Sequence, residues 1–339
     1  MEKTKKKRKI NLTAIIFIEV FILVLLLVGG KIYDSVGKIQ KDDSKDHEII
    51  QNEEVEPETG YRNIVLFGVD SRENTLKEGT NSDTIIIASI NNKTKEVRLV
   101  SIYRDTYSNI PGEGYDKINA AYRIGGYSLA ISTINTNFDL DIKEYVTVNF
   151  LAVVKVIDEL GGITLDITEE ELPYLNGYVH ELNKINDSKV PDLKNYGKQH
   201  VNGTQATAYA RIRYTSGGDF KRTERQRIVI GRIFEKVKSS KLSTINALIN
   251  EFFPQVSTNL GNLEILNLAK SVFSYHITDQ TGFPFETDIH NYKRVSYVFP
   301  VALDANVKKL HKFLFDEPNY TPSKKVREYS EKIEAVRND

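Results

Sequence analysis

Apolar and polar positions divide the chain into stretches of different character. The first is a long apolar run from Ile10 to Gly30, preceded by Lys3, Lys5, Lys6, Lys7, Arg8 and Lys9. Its length matches the roughly 20 residues a helix needs to cross a hydrocarbon core. A secretory signal has a shorter apolar core and a small-residue cleavage site, which Gly29-Gly30-Lys31 matches poorly. The pattern predicts a single-pass anchor at 10–30, with residues 1–9 a basic cytoplasmic tail and the body outside the cell. Glu19, in mid-span, needs a polar partner or a proton there. Residues 31–60 are polar and acid-rich, with Pro57 and Gly60 near their end, as in a spacer.

The pattern changes at Tyr61. Compact apolar runs at 63–69 (NIVLFGV), 84–90 (TIIIASI) and 97–103 (VRLVSIY) predict three strands, the last two joined by a turn at Asn91-Asn92-Lys93-Thr94. Helical spacing follows at 127–138, strand at 145–149, helix at 150–160 closed by Gly161-Gly162, and strand at 163–167. Beyond these the carboxyl half reads as mostly helical: 204–211, about 220–239, 263–273 and 307–315, with a late strand at 293–300. Strands interspersed with helices predict an α/β fold, one domain at 61–316 with a central mixed sheet flanked by helices. Residues 317–339 read as a charged tail that could form a helix.

Composition narrows the function classes. Lys+Arg and Asp+Glu balance at 46 each, against a general nucleic-acid binder, which carries a basic excess. Nine cytoplasmic residues are too few for a DNA-reading domain. The absence of cysteine removes thiol catalysis, Cys-based zinc sites and disulfides. Six histidines show no paired ligand spacing, and no HExxH, Walker or GxGxxG pattern occurs.

If the first three strands run up, down and up, one rim gathers Asp70-Ser71-Arg72, Ser82-Asp83-Thr84 and Arg104-Asp105. Asp70 and Asp83 offer hard oxygen ligands of the kind that hold Mg²⁺ together with a substrate phosphate. An Asp at a strand end also serves turn backbone, so either alone is ordinary; their convergence is what suggests a site.

The densest charge lies in RIRYTSGGDFKRTERQR, 211–227. Arg211 and Arg213 alternate by two and share a side if extended. Asp219 stands where an N-cap belongs, so Lys221 and Arg222 fall in a first helical turn. Cations there oppose the helix dipole unless an anion sits between them. Arg222, Arg225 and Gln226 share a helix face, as forked donors for a phosphate require. The alternative is a solvated basic face partly paired by Glu224.

In order along the chain, NIVLFGVDSRE, NSDTIIIASI, VRLVSIYRDTY, DKINAAYRIGG, VIDELGGITLDI and, more loosely, the stretch from Val201 through 227 resemble the LytR-CpsA-Psr family of envelope proteins. The likeness covers about 61–315. It implies an α/β fold that holds a polyprenyl chain in an apolar interior. It also implies a Mg²⁺-dependent transferase that moves a cell wall glycopolymer, such as teichoic acid or capsule, from a polyprenyl-pyrophosphate carrier to peptidoglycan. By the same resemblance Asp70 and Asp83 are the metal-associated acids, and Arg104, Arg211 and Arg213 bind pyrophosphate and act in catalysis. Arg72, Asp105, Lys117, Asn119, Arg123, Asp219, Arg222, Arg225 and Gln226 fall in the family's motif neighbourhoods as further pyrophosphate-site candidates. Asp105 or another rim carboxylate could take the acceptor's proton. Two positions depart from the family pattern: Tyr103 stands where Pro is common before Arg-Asp, and Asn81 where Arg is common before Ser-Asp-Thr. A pyrophosphatase and a non-catalytic binder of lipid-linked glycan remain the alternatives.

Overall fold

The computed structural model describes residues 48–69, 76, 79–240, 255–261, 264 and 274–339. The basic tail, the segment expected to anchor the chain and nearly all of the helix expected at 263–273 lie outside the described residues. Among those described, no helix is long and apolar enough to cross a membrane.

The chain forms β1 (Tyr61–Val69), β2 (Ser82–Asn91), β3 (Glu96–Ile102), β4 (Tyr107–Ile110), β5 (Gly114–Lys117), α1 (Ala120–Phe138), β6 (Glu144–Asn149), α2 (Phe150–Glu159) and β7 (Ile163–Ile167). It continues with α3 (Glu171–Asn186), β8 (Gly197–Val201), α4 (Gly203–Arg211), α5 (Gly218–Lys238), β9 (Val256–Thr258) and β10 (His276–Phe283). The hairpin β11 (Thr287–Tyr292) and β12 (Val295–Pro300) precedes α6 (Leu303–Phe315) and α7 (Lys324–Arg337).

A six-stranded mixed sheet in the order β10-β3-β2-β1-β6-β9 divides the body into two layers. Both faces are covered, which is why its central strands read as continuous apolar runs rather than alternating ones. Along β1, Ile64 and Leu66 enter the layer beneath α2 to α5, whereas Val65, Phe67 and Val69 enter the one beneath α1, α6 and α7. On β2, Ile86, Ala88 and Ile90 take the first side and Ile85 and Ile87 the second. The glycine pair Gly125-Gly126, just before the expected helix start, is instead a kink inside α1, with Gly126 at φ 60°.

The carboxyl half holds more strand than its pattern predicts. β10 (HITDQTGF) mixes polar and apolar positions because it is an edge strand, paired on one side to β3. The strand expected at 293–300 begins at Val295, since Lys293 and Arg294 both adopt positive φ and form the turn from β11. Nor is 317–339 a free tail: Val326, Tyr329 and Ile333 of α7 are buried in the second layer. The end of the spacer is likewise folded onto the body. Ile50 N donates to Ser132 Oγ at 2.9 Å, and Asn52 Nδ2 to Thr136 O at 2.9 Å.

Candidate anion-binding site

The registers Val69↔Ser82 and Ile85↔Ile102 bring the end of β1, the start of β2 and the end of β3 to one rim. Pairing slips by one residue at Gly68/Val69, so Asp83 is the extra residue of a bulge. Its Oδ1 accepts from Arg104 Nη1, and its side chain stays 29% exposed. Arg104 Nε also lies 3.8 Å from Asp105 Oδ2, while Lys117 Nζ approaches Asp105 Oδ1 at 2.9 Å. The loop carrying this pair is clamped by Ile118 N on Thr106 O (2.8 Å) and by the backbone N–H of buried Asn119 on Arg104 O (3.2 Å). Asp70 and Arg72 lie outside the described residues.

The opposite wall comes from α4 and α5. Asn202 caps α4 through Gln205 N, and Gln205 Oε1 accepts from Asn202 N in return. Gly203 lets this helix approach α2 closely, because a Cβ there would stand 2.0 Å from Val154 O. So placed, α4 turns Thr207, Ala210 and Arg211 toward a cavity, and Ala206 and Tyr209 into the apolar layer. Arg211 is aimed by Glu181 of α3, at 2.9 Å, and lies 5.6 Å from the ring centre of Tyr178. From α5, Arg222 and Gln226 line the same cavity although each is buried, and Gln226 Oε1 accepts from Thr84 Oγ1 at 3.1 Å. Arg213, exposed on the intervening loop, lines the same cavity as Asp83.

Not every residue of the basic stretch reaches the cavity. Arg225 is buried and holds the loop instead, donating to Glu171 Oε1 (2.7 Å), Ile212 O (3.1 Å) and Thr215 Oγ1. Helix α5 starts at Gly218, after Gly217 and Gly218 both take positive φ, so Asp219 is inside its first turn rather than at the cap. The side chain of Asp219 is outside those described. Arg123 sits farther along the rim, where its Nε donates to Asn81 Oδ1 at 3.2 Å. Tyr103 packs edge-on to Phe220, with ring centres 4.3 Å apart, and leaves no room for a Cβ at Gly282.

Three residues of this wall escaped the sequence reading. Thr207 stands one helical turn before Arg211; its Oγ1 is buried, on the cavity, and has no hydrogen-bond partner among the described residues. Its spacing from Arg211 was the available signal. Tyr178 and Glu181 had none, because no element was expected at 171–186. Burial pushes the Tyr178 hydroxyl above its ordinary pKa, with Arg213 opposing the shift.

Among the described residues, three guanidiniums and an orphaned buried hydroxyl lie around one lining carboxylate, an arrangement that suits a polyanionic guest. Among the described residues no group of three His, Asp or Glu side chains could hold a metal ion by itself. Asp83 does fit the pattern of Mg²⁺ sites that use one or two carboxylates plus ligand phosphates.

Comparison with known proteins bears on the family and the fold. A polyisoprenyl-teichoic acid–peptidoglycan teichoic acid transferase, TagU of Enterococcus faecalis, is 31% identical over 309 residues, which span 87% of this chain and 94% of that protein. TagV of Bacillus subtilis, named for the same activity, is 28% identical over 328 residues, 93% of this chain and 81% of the other. Among solved structures, the LytR-CPS2A-psr family protein YwtF (TagT) with bound octaprenyl pyrophosphate lipid superposes with a TM-score of 0.56. That match has 25% identity and covers 78% of this chain and 94% of the other. The LytR_cpsA_psr family model matches residues 26–310, and the chain belongs to that family.

Proposed function

We propose that this protein is a phosphotransferase that moves an anionic or secondary cell wall glycopolymer from a polyprenyl-pyrophosphate carrier to peptidoglycan, releasing polyprenyl phosphate. The observation that carries the reading is the convergence of Arg211, Arg213 and Arg222 with Asp83 and the Thr207 hydroxyl in one cavity. TagU's activity and the octaprenyl pyrophosphate bound to TagT support it.

Phosphoryl transfer asks mainly for positioning and charge neutralisation. A hydroxyl of the acceptor sugar attacks the glycan-proximal phosphorus, the bond to the bridging oxygen breaks, and the electron pair leaves with polyprenyl phosphate. Arg211 and Arg213 hold the charge that builds on the phosphates. Arg222 binds from the buried side, where low dielectric strengthens its pull. Thr207 Oγ1 donates to a phosphate oxygen. Arg104 holds Asp83 in place, and Asp105, fixed by Lys117, takes the acceptor's proton. Mg²⁺ held by Asp83 and Asp70 would supply further neutralisation of the pyrophosphate. The prenyl chain runs toward the apolar layer that Ala206 and Tyr209 enter.

The test uses the full chain in detergent with Mg²⁺, a synthetic polyprenyl-pyrophosphoryl saccharide and a peptidoglycan oligomer, read by mass spectrometry. The expected product is a phosphodiester conjugate that needs both Mg²⁺ and acceptor, and that falls at least about a hundredfold in Arg213→Ala. Free phosphorylated saccharide without conjugate would point to hydrolysis; binding without turnover would make the protein a scaffold.

The same reading sets the body outside the cell, tethered by residues 10–30. Because the chain lacks cysteine, Tyr196→Cys at an exposed site gives a clean probe. A membrane-impermeant maleimide should label it in intact cells, and labelling only after lysis would reverse the topology.

A further inference from the structure

The wall of the cavity does not end at Arg213. Tyr214, the next residue, is 71% exposed, and Tyr174 of α3 is 37% exposed, with their ring centres 6.3 Å apart at 35°. Tyr174 lies one helical turn before Tyr178, which lines the cavity. The aromatic pair is therefore continuous with the phosphate-binding wall.

An exposed tyrosine on a loose loop would mean little, but this loop is pinned on both sides of Tyr214. Arg225 bonds Ile212 O and Thr215 Oγ1, and Ser216 N donates to Glu170 Oε1 at 3.0 Å. Glu170 immediately precedes α3, so the anchor for Tyr214 sits beside the helix that carries Tyr174. The backbone that carries Tyr214 is thus held by two buried contacts from Arg225 and one exposed contact to Glu170, while Tyr174 is carried by α3 itself. Rigid tyrosines offer contact area at little entropic cost. Arg213 precedes Tyr214 in the chain, and the Arg211–Glu181 pair stands by Tyr178 on the same wall, so an apolar surface adjoins donors and an acceptor. A pyranose ring has that complement: an apolar C–H face with hydroxyls at its rim.

We infer that Tyr174 and Tyr214 form a carbohydrate subsite at the mouth of the cavity, which stacks one pyranose ring of a substrate glycan next to the reacting phosphate. This rests on the proposed transferase reading for the identity of the glycan, not for the existence of the subsite. The ring belongs either to the first sugar of the lipid-linked donor or to the acceptor strand; both present the same chemistry.

The test compares Tyr174→Ala/Tyr214→Ala with Tyr174→Phe/Tyr214→Phe in the full-length detergent-solubilised protein. In the transfer assay, the alanine pair should raise KM for one glycan substrate about tenfold with kcat changed less than about twofold. The phenylalanine pair, which keeps both rings, should restore it. A shift confined to the donor assigns the ring to the donor's first sugar; a shift confined to the oligomer assigns it to the acceptor. Unchanged KM for both substrates overturns the subsite. Saturation-transfer NMR with a soluble N-acetylglucosamine oligosaccharide supplies a readout independent of turnover. Saturation of sugar protons that the alanine pair loses and the phenylalanine pair keeps supports the subsite even if no conjugate forms. Equal signals in wild type and the alanine pair, or none in wild type, overturn it.

Discussion

Thr207 is a residue on which stability and the proposed function make opposite demands. Its hydroxyl is buried without a hydrogen-bond partner among the described residues, a condition that costs free energy unless a ligand satisfies it. Thr207→Val keeps the branched shape and removes the orphan donor. The variant should unfold at the same or a slightly higher temperature than wild type, yet lose about tenfold in kcat/KM for the lipid-linked donor. Calorimetry alongside initial rates checks both halves. A Val variant that is less stable and fully active would mean that the hydroxyl bonds within the protein. Arg225 shows the converse case. It stands in the same basic stretch as Arg222, but its bonds to Glu171, Ile212 and Thr215 make it a brace for the loop that presents Arg213. Helical spacing alone placed the two arginines on one face and could not say which of them would meet a buried carboxylate on another element.

At the level of elements, the central strands were legible because burial on both faces leaves an uninterrupted apolar record. The rim followed from them: once β1, β2 and β3 alternate in direction, Asp83 and Arg104 must meet, and they do. What stayed hidden has a common physical cause. Strand β10 at the sheet's edge and helix α3 on its flank carry mixed polar sequences, since one side of each faces water. Helix α7 looked like a charged tail for the same reason, its apolar contribution reduced to Val326, Tyr329 and Ile333 at helical spacing. The missed helix α3 is also where the unforeseen site residues lie: without it, Tyr178 and Glu181 had no element to place them beside Arg211. The departures at Tyr103 and Asn81 find accommodation in the structure. Tyr103 fills space that Gly282 leaves open, and Asn81 accepts from Arg123.

Across the molecule, among the described residues, a basic cavity and an acidic hollow lie at opposite ends of β1. The rim at the end of β1 gathers arginines, whereas the end at which β1 begins gathers carboxylates from the chain before β1, before β6 and after α6. Glu58 is the most perturbed of these, its pKa raised to about 7 by burial first, then by Glu317 and Asp141. His311 lies in the same hollow, its Nδ1 3.8 Å from Glu317 Oε2, with its pKa lowered by burial. For Glu58 the sign follows from linkage: the folded state holds its proton more tightly than the unfolded chain does, whose carboxyl keeps the ordinary value of 4.5. Its contribution to stability is therefore complete below pH 4.5 and is lost as pH rises through about 7. Glu58→Gln removes this titration while leaving the basic rim untouched. Thermal melts of wild type and variant should nearly coincide near pH 4.5, and wild type should fall behind by roughly 2 °C at pH 8. Because His311 is present in both proteins, the difference between the two curves reports Glu58 together with its coupling to Glu317 and Asp141. A gap that stays constant across the range would mean that the carboxyl is solvated and that the acidic end carries no strain. Transfer activity should be equal in the two proteins at every pH, since Glu58 precedes the first residue of β1 and the proposed phosphate site lies beyond its last.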